Sequence, residues 1–217
     1  MVKIAPSILT APLLELGAAL EAVRDADWLH LDMMDGHFVP NLTFGPWLVP
    51  ALKERATMPL EAHLMVTNPE RHFDGLAAAG VRRVYVHAEV TPHLHRLLTE
   101  MAGLGLEPGV ALNPGTPVEG IAPVLDEVQA LLIMSVDPGW GGQAFWPGAL
   151  PKIARARAMG FRKTLAVDGG ITPKTAPAVV KAGADLLVAG SYVFPPAGDA
   201  RPQSRLASIR SAVADRN

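Results

Sequence analysis

Trp28-Leu29-His30-Leu31-Asp32-Met33-Met34-Asp35-Gly36 is the stretch from which the rest of the chain can be read. Successive residues of a strand point to opposite sides, so a strand here puts His30, Asp32 and Met34 on one face. Asp35-Gly36 then closes the run as a loop signal. Glu61-Ala62-His63-Leu64-Met65-Val66 repeats the arrangement, with His63 and Met65 sharing a face. Working outward, short β-branched runs predict strands over 3–9, 28–34, 60–66, 83–88, 108–112, 130–136, 164–167 and 186–189. Ala/Leu-rich stretches with helical spacing fall between them, as at 13–24, 69–79, 93–103 and 152–159. Pro and Gly punctuate the joints, as in Glu107-Pro108-Gly109 and Asn113-Pro114-Gly115.

Eight alternating βα units in 217 residues predict an α/β fold, a (β/α)8 TIM barrel occupying 1–217 as one catalytic domain. A doubly wound open sheet is the competing arrangement. No linker is long enough to split the chain. A barrel of this kind builds its active site at the C-terminal ends of the strands, so polar residues there carry the functional information.

Composition narrows the classes. Nineteen Lys and Arg against twenty-one Asp and Glu leave a formal charge of −2, dispersed along the chain. No clustered basic face suggests a nucleic-acid partner. Cysteine is absent, which excludes thiol nucleophiles and thiolate metal sites. The opening MVKIAPSILTAP does not read as a signal peptide, and no apolar run is long enough for a membrane span. A cytoplasmic protein with no membrane partner is expected.

Strand seven ends Ala166-Val167-Asp168-Gly169-Gly170, setting a second carboxylate where catalytic groups collect. His30, Asp32, His63 and Asp168 form an N2O2 set suited to one divalent ion such as Zn2+, Fe2+, Mn2+ or Co2+. Each histidine alone reads more readily as a satisfied polar core residue; four groups at three strand ends are harder to read that way. Met34, Met65 and Met134 recur near inward-facing strand ends, as core filling or as an apolar floor beneath a planar intermediate. Gly-rich stretches follow strands six, seven and eight: Gly139-Trp140-Gly141-Gly142, Gly169-Gly170 and Gly190-Ser191. Backbone N–H groups exposed there could hold a phosphate. His87 and Glu89 end strand four as possible neighbours of the site. His37 and His72 could touch the mouth, His93 and His95 read as helix surface, and Lys152 and Lys163 read as solvated.

These residues resemble the ribulose-phosphate 3-epimerase family. Ala5-Pro6-Ser7-Ile8-Leu9 looks like the start of such chains, and the stretch from Leu31 to Pro46 resembles the family's longest signature. His63-Leu64-Met65-Val66, Pro138 to Gln143, Val167 to Ile171 and Ala189-Gly190-Ser191 match further blocks in order, so the resemblance spans nearly the whole chain. It implies one divalent metal per subunit on His30, Asp32, His63 and Asp168, with Asp32 as proton acceptor and Asp168 as proton donor. It also implies contacts with a phosphorylated ketose from Ser7, His63, Met34, Met65, Met134, Gly139, Trp140, Gly141, Gly142, Gly169, Gly170, Gly190 and Ser191. Trp140 stands where the family usually carries Phe, and Trp146 replaces an aliphatic residue. The expected reaction interconverts D-ribulose 5-phosphate and D-xylulose 5-phosphate through an enediolate, in a homo-oligomer. Remaining alternatives are a six-carbon ketose phosphate, a barrel decarboxylase, or a non-catalytic phosphate-binding barrel. The decarboxylase would set a lysine beside the carboxylate, which His30-Leu31-Asp32 lacks.

Overall fold

The computed structural model describes residues 1–195 and 201–214. Eight strands, β1 Lys3–Pro6, β2 Leu29–Met34, β3 Leu60–Met65, β4 Arg83–His87, β5 Glu107–Leu112, β6 Ala130–Met134, β7 Thr164–Asp168 and β8 Leu186–Ala189, lie in the order β1-β8-β7-β6-β5-β4-β3-β2. Every ladder is parallel. The seam between β1 and β2 is closed by a parallel bridge from Ser7 to His30 and by the Asp27 N–H donating to Ile4 O at 3.1 Å. The sheet is therefore a barrel, and the open-sheet alternative falls.

Helices α1 Leu16–Ala22, α2 Val49–Lys53, α3 Phe73–Ala78, α4 Leu94–Gly103, α5 Ala149–Ala158, α6 Ala176–Ala182 and α7 Pro202–Ala214 cover the outside. The crossover from β5 to β6 is made instead by a 3-10 helix, Val118–Val124. Pro123 inside it removes a backbone donor, which disfavours a regular α-helix there. No helix among the described residues is long and apolar enough to cross a membrane.

Strand existence is read correctly from the sequence, while several boundaries move. β1 stops at Pro6 rather than residue 9, because the Ser7 hydroxyl accepts the Leu9 N–H and turns the chain into a 3-10 helix. β6 stops at Met134 rather than 136. Ser135 there donates N–H and Oγ to Asp168 O, at 2.8 and 2.9 Å. The helix expected over 13–24 begins with a 3-10 turn and is α-helical only over Leu16–Ala22.

The strands are buried on both faces, as parallel strands under a helical jacket must be. Leu29, Leu31 and Met33 of β2 join the large cluster between sheet and helices. The opposite parity fills the interior: Ala5, Tyr85, Ala111, Ala130, Leu132, Ala166, Leu186 and Val188 form a separate cluster. His30, Asp32 and His63 have that inward parity too and are buried.

Candidate active site

Two-residue alternation carries His30 and Asp32 up the inner face of β2, and the β2–β3 register sets Asp32 beside His63. The β6–β7 register sets Asp168 beside Met134 on the other side of the mouth. Each of His30, Asp32, His63 and Asp168 offers a ligand atom within 4.8 Å of the others. Ligands about 2.0–2.2 Å from one ion lie up to about 4.4 Å apart, so shifts of a few tenths of an ångström would let these four hold it.

The hydrogen bonding of the histidines fits a cation. His30 Nδ1 donates to Glu61 Oε1 at 2.8 Å, which fixes the ring and leaves Nε2 facing the cluster. That buried Nε2 has no hydrogen-bond partner, although Asp32 Oδ1 lies 3.4 Å away. A carboxylate behind an imidazole whose free nitrogen faces carboxylates is the arrangement that supports metal-bound histidine. His63 Nδ1 lies 2.9 Å from Asp32 Oδ1 and 3.9 Å from Asp168 Oδ2. Perpendicular ligands about 2.1 Å from an ion stand about 3 Å apart, so the first spacing suits neighbouring ligands.

The two aspartates differ in environment. Burial opposes the charge of Asp32, but the neighbouring imidazoles of His30 and then His63 outweigh it and hold the carboxyl far below its usual range. Asp32 Oδ2 also accepts from Ser7 Oγ at 2.5 Å. Burial, and then the Asp32 charge, push Asp168 up to about 7. Burial works against His30 as well, yet Asp32 and Glu61 raise its pKa well above the ordinary value. Burial lowers His63 to about 4 despite Asp32. The pair of carboxylates thus demands positive charge at this spot.

Asp32 and Asp168 open into one cavity that Ser7, Met34, Met65, Met134, Gly139, Trp140, Gly141, Gly142, Gly169, Gly170, Gly190 and Ser191 also line. His30 and His63 stand behind it, fully buried. Trp140 is 58% exposed at its rim. Not every glycine is there for a ligand. A Cβ on Gly170, at φ +61°, would lie 2.4 Å from Phe145 N, so packing alone requires glycine. At Gly190 a Cβ would meet Ser7 Cβ at an ordinary 3.6 Å, so the chain's own packing does not demand the bare backbone that faces the cavity.

Other sequence readings sort clearly. His37 and His72 line a separate depression with Asp35, Thr67 and Arg71, away from the central cavity. His93 and His95 are exposed, as expected. Lys152 is not solvated: it is partly buried, donates to Asn113 O, and is held down to about 8 by burial. Lys163 donates to Asp126 O at 2.6 Å in an exposed contact, in keeping with a solvated lysine. Three residues escaped the sequence reading: Glu61, which holds His30 Nδ1, together with Thr10 and Ser135. Thr10 lines the cavity with a buried hydroxyl that has no partner, and Ser135 pins the turn after β7 through Asp168 O and Gly169 O. A lone Thr or Ser carries no sequence signal for either role.

Fold and site together define a (β/α)8-barrel with a His2Asp2 centre able to hold a metal beneath a glycine-lined cavity. Residues 3–194 match the model of the ribulose-phosphate 3 epimerase family, and the chain belongs to that family. It is 43% identical over 219 residues to the ribulose-phosphate 3-epimerase of Bacillus subtilis, covering 98% of this chain and 100% of that one. It is 47% identical to the chloroplastic ribulose-5-phosphate-3-epimerase of Arabidopsis thaliana, over 88% of this chain and 71% of the relative. Among solved structures, a mutant tryptophan synthase α-subunit from Pyrococcus furiosus superposes with a TM-score of 0.74 at 16% identity. The superposition covers 99% of this chain and 100% of that one, and it speaks for the fold alone.

Proposed function

We propose that this chain interconverts D-ribulose 5-phosphate and D-xylulose 5-phosphate by inverting C3, with Asp32 and Asp168 as the proton-transfer pair. The observation that carries the reading is the convergence of carboxylates from β2 and β7 on one spot with two imidazoles. His30, Asp32, His63 and Asp168 would hold one divalent cation, Zn2+, Fe2+, Mn2+ or Co2+, which supplies Lewis acidity toward the substrate's ketone and hydroxyl oxygens.

Asp32 is kept ionised by its partners and takes the proton from C3 on one face. Asp168 stands across the mouth from Asp32 and returns a proton on the other face as the carboxylic acid. The two belong to well-separated strands, so each serves one face, and change of face is inversion. Met34, Met65 and Met134 give the planar enediolate an apolar bed. Backbone at Gly190 and Ser191, with Gly139 to Gly142 and Gly169 to Gly170, receives the phosphate and keeps the sugar in register. The reading includes a cytoplasmic homo-oligomer.

The test follows ribulose 5-phosphate by NMR in D2O with purified, metal-analysed protein. Xylulose 5-phosphate carrying deuterium at C3 is expected, with no CO2 evolved. Loss of CO2, or no turnover by metal-replete protein, overturns the reading. Full activity in protein shown by elemental analysis to be metal-free removes the cation from it.

A further inference from the structure

We infer that Glu89 and His87 form a relay that fixes which nitrogen of His63 carries its proton, and so commits the His63 Nδ1 lone pair to the cation. The inference rests on the metal-site reading above and extends it to two residues outside the ligand set. His63 Nε2 and His87 Nε2 are 2.8 Å apart, and His87 Nδ1 is 3.2 Å from Glu89 Oε2. Both imidazoles are fully buried. Glu89 is itself held: Oε1 accepts the Asn113 N–H at 2.8 Å and the Thr116 hydroxyl. Lys152 Nζ in turn donates to Asn113 O.

The logic runs inward from the carboxylate. A carboxylate oxygen can only accept, so neutral His87 carries its proton on Nδ1 and presents a lone pair at Nε2. That lone pair accepts from His63 Nε2–H, which leaves His63 Nδ1 unprotonated beside Asp32. His30 reaches the same end through one partner, Glu61. His63 needs two, because an imidazole stands between it and its carboxylate.

Glu89→Gln is the discriminating variant. The Asn113 N–H can only donate, so it holds the amide oxygen on its own side and turns the NH2 toward His87 Nδ1. His87 must then accept at Nδ1 and carry its proton on Nε2. His63 accepts there in turn and carries its proton on Nδ1, facing the cation. Glu89→Ala removes the direction without reversing it. A purely structural role predicts the opposite ranking, since Ala removes more contacts than Gln.

Mn(II) affinity of the full chain is measured by calorimetry with the metal alone, with thermal melts confirming that each variant is folded. Glu89→Gln is expected to weaken Mn(II) binding on the order of 10–100-fold, and Glu89→Ala to weaken it less. Equal affinities for wild type and Glu89→Gln, or a weaker Glu89→Ala, overturn the relay while leaving the metal site intact. Wild-type protein that takes up no Mn(II) overturns the metal site and the relay with it. Should Glu89→Gln not fold, His87→Gln, whose amide oxygen can accept from His63, must bind Mn(II) more tightly than His87→Leu; the reverse order overturns the relay.

Discussion

The barrel interior has two unlike walls. On β2, β3 and β4 the inward positions are His30, Asp32, Glu61, His63, Arg83, Tyr85 and His87, with Met34 and Met65 at the mouth, all buried. On β1 and β5 to β8 they are chiefly Ala5, Ala111, Ala130, Leu132, Ala166, Leu186 and Val188. The second wall adds a carboxylate at each end: Glu107 at the N-terminal rim, 2.7 Å from Arg83, and Asp168 at the mouth. Buried charge is tolerated on the first wall because it is connected. Glu61 accepts from His30, from Arg83 Nη1 at 3.1 Å and from Tyr85 OH at 3.3 Å. The Arg83 guanidinium also lies over the Trp28 ring, 4.1 Å from its centre. The small residues opposite make room for these large polar ones, since an interior at crystal-like density has no spare volume. One wall organises charge, and the other gives it space and a second carboxylate.

The sharpest way to break this asymmetry is to disarm the carboxylate that the apolar wall sends to the mouth. Asp168→Asn should lose inversion by about 10^2–10^4-fold while Asp32 still exchanges the C3 proton of one epimer with solvent. Deuterium incorporation and product formation are read together, with metal content measured in the same sample. A metal-replete variant that epimerises near the wild-type rate would end the two-aspartate reading.

The next largest effect is on stability. Arg83→Met leaves Glu61 buried without its cation and should cost about 3–5 kcal/mol in urea unfolding. Adding Glu61→Leu should recover part of that loss, because the orphaned charge is gone. A double variant no more stable than the single one would show that the charged wall is not held as a pair.

Gly109→Ala probes the space that the second wall yields. Its Cβ would fall 2.5 Å from Tyr85 Cδ1 and 2.8 Å from Val84 O, and the second contact is backbone. Destabilisation of about 1–3 kcal/mol is expected. No change in the urea midpoint would mean that Tyr85 can retreat.

The smallest effect contrasts inside with rim. Burial opposes ionisation of Asp35 more than any one contact favours it, but N–H groups of Thr67, Phe38 and His37 and the Thr67 hydroxyl together outweigh it and hold the carboxyl at about 2. A depressed folded value means stability present above the unfolded pKa, about 4, and lost as pH falls toward 2. Asp35→Asn should therefore flatten the melting-temperature curve slightly between those limits. An unchanged slope would assign the acid sensitivity elsewhere.

Much of this was legible in the chain because the relevant rule is local. Period two in residues 28–36 and 61–66 sets His30, Asp32 and His63 on the interior face, and Asp168 is readable as the end of its strand. Parity depends only on the chain's own pleat, so no tertiary contact is needed to derive it. Register between strands is different. The His63–His87 contact and the Glu89 bonds to Asn113 and Thr116 join residues 24 and 27 positions apart, and nothing in either segment announces the other. The Ser7–His30 bridge that closes the barrel is equally invisible from one strand. Lys152 looked solvated because a lysine in a helix usually is, until the turn at Asn113 came to lie over it. By itself the sequence determined how many strands there are, which side chains point inward, and which four groups can meet at the mouth. Only the tertiary structure decided which nitrogen faces which carboxylate, because hydrogen-bond partners are chosen by strand register and barrel closure rather than by any local pattern.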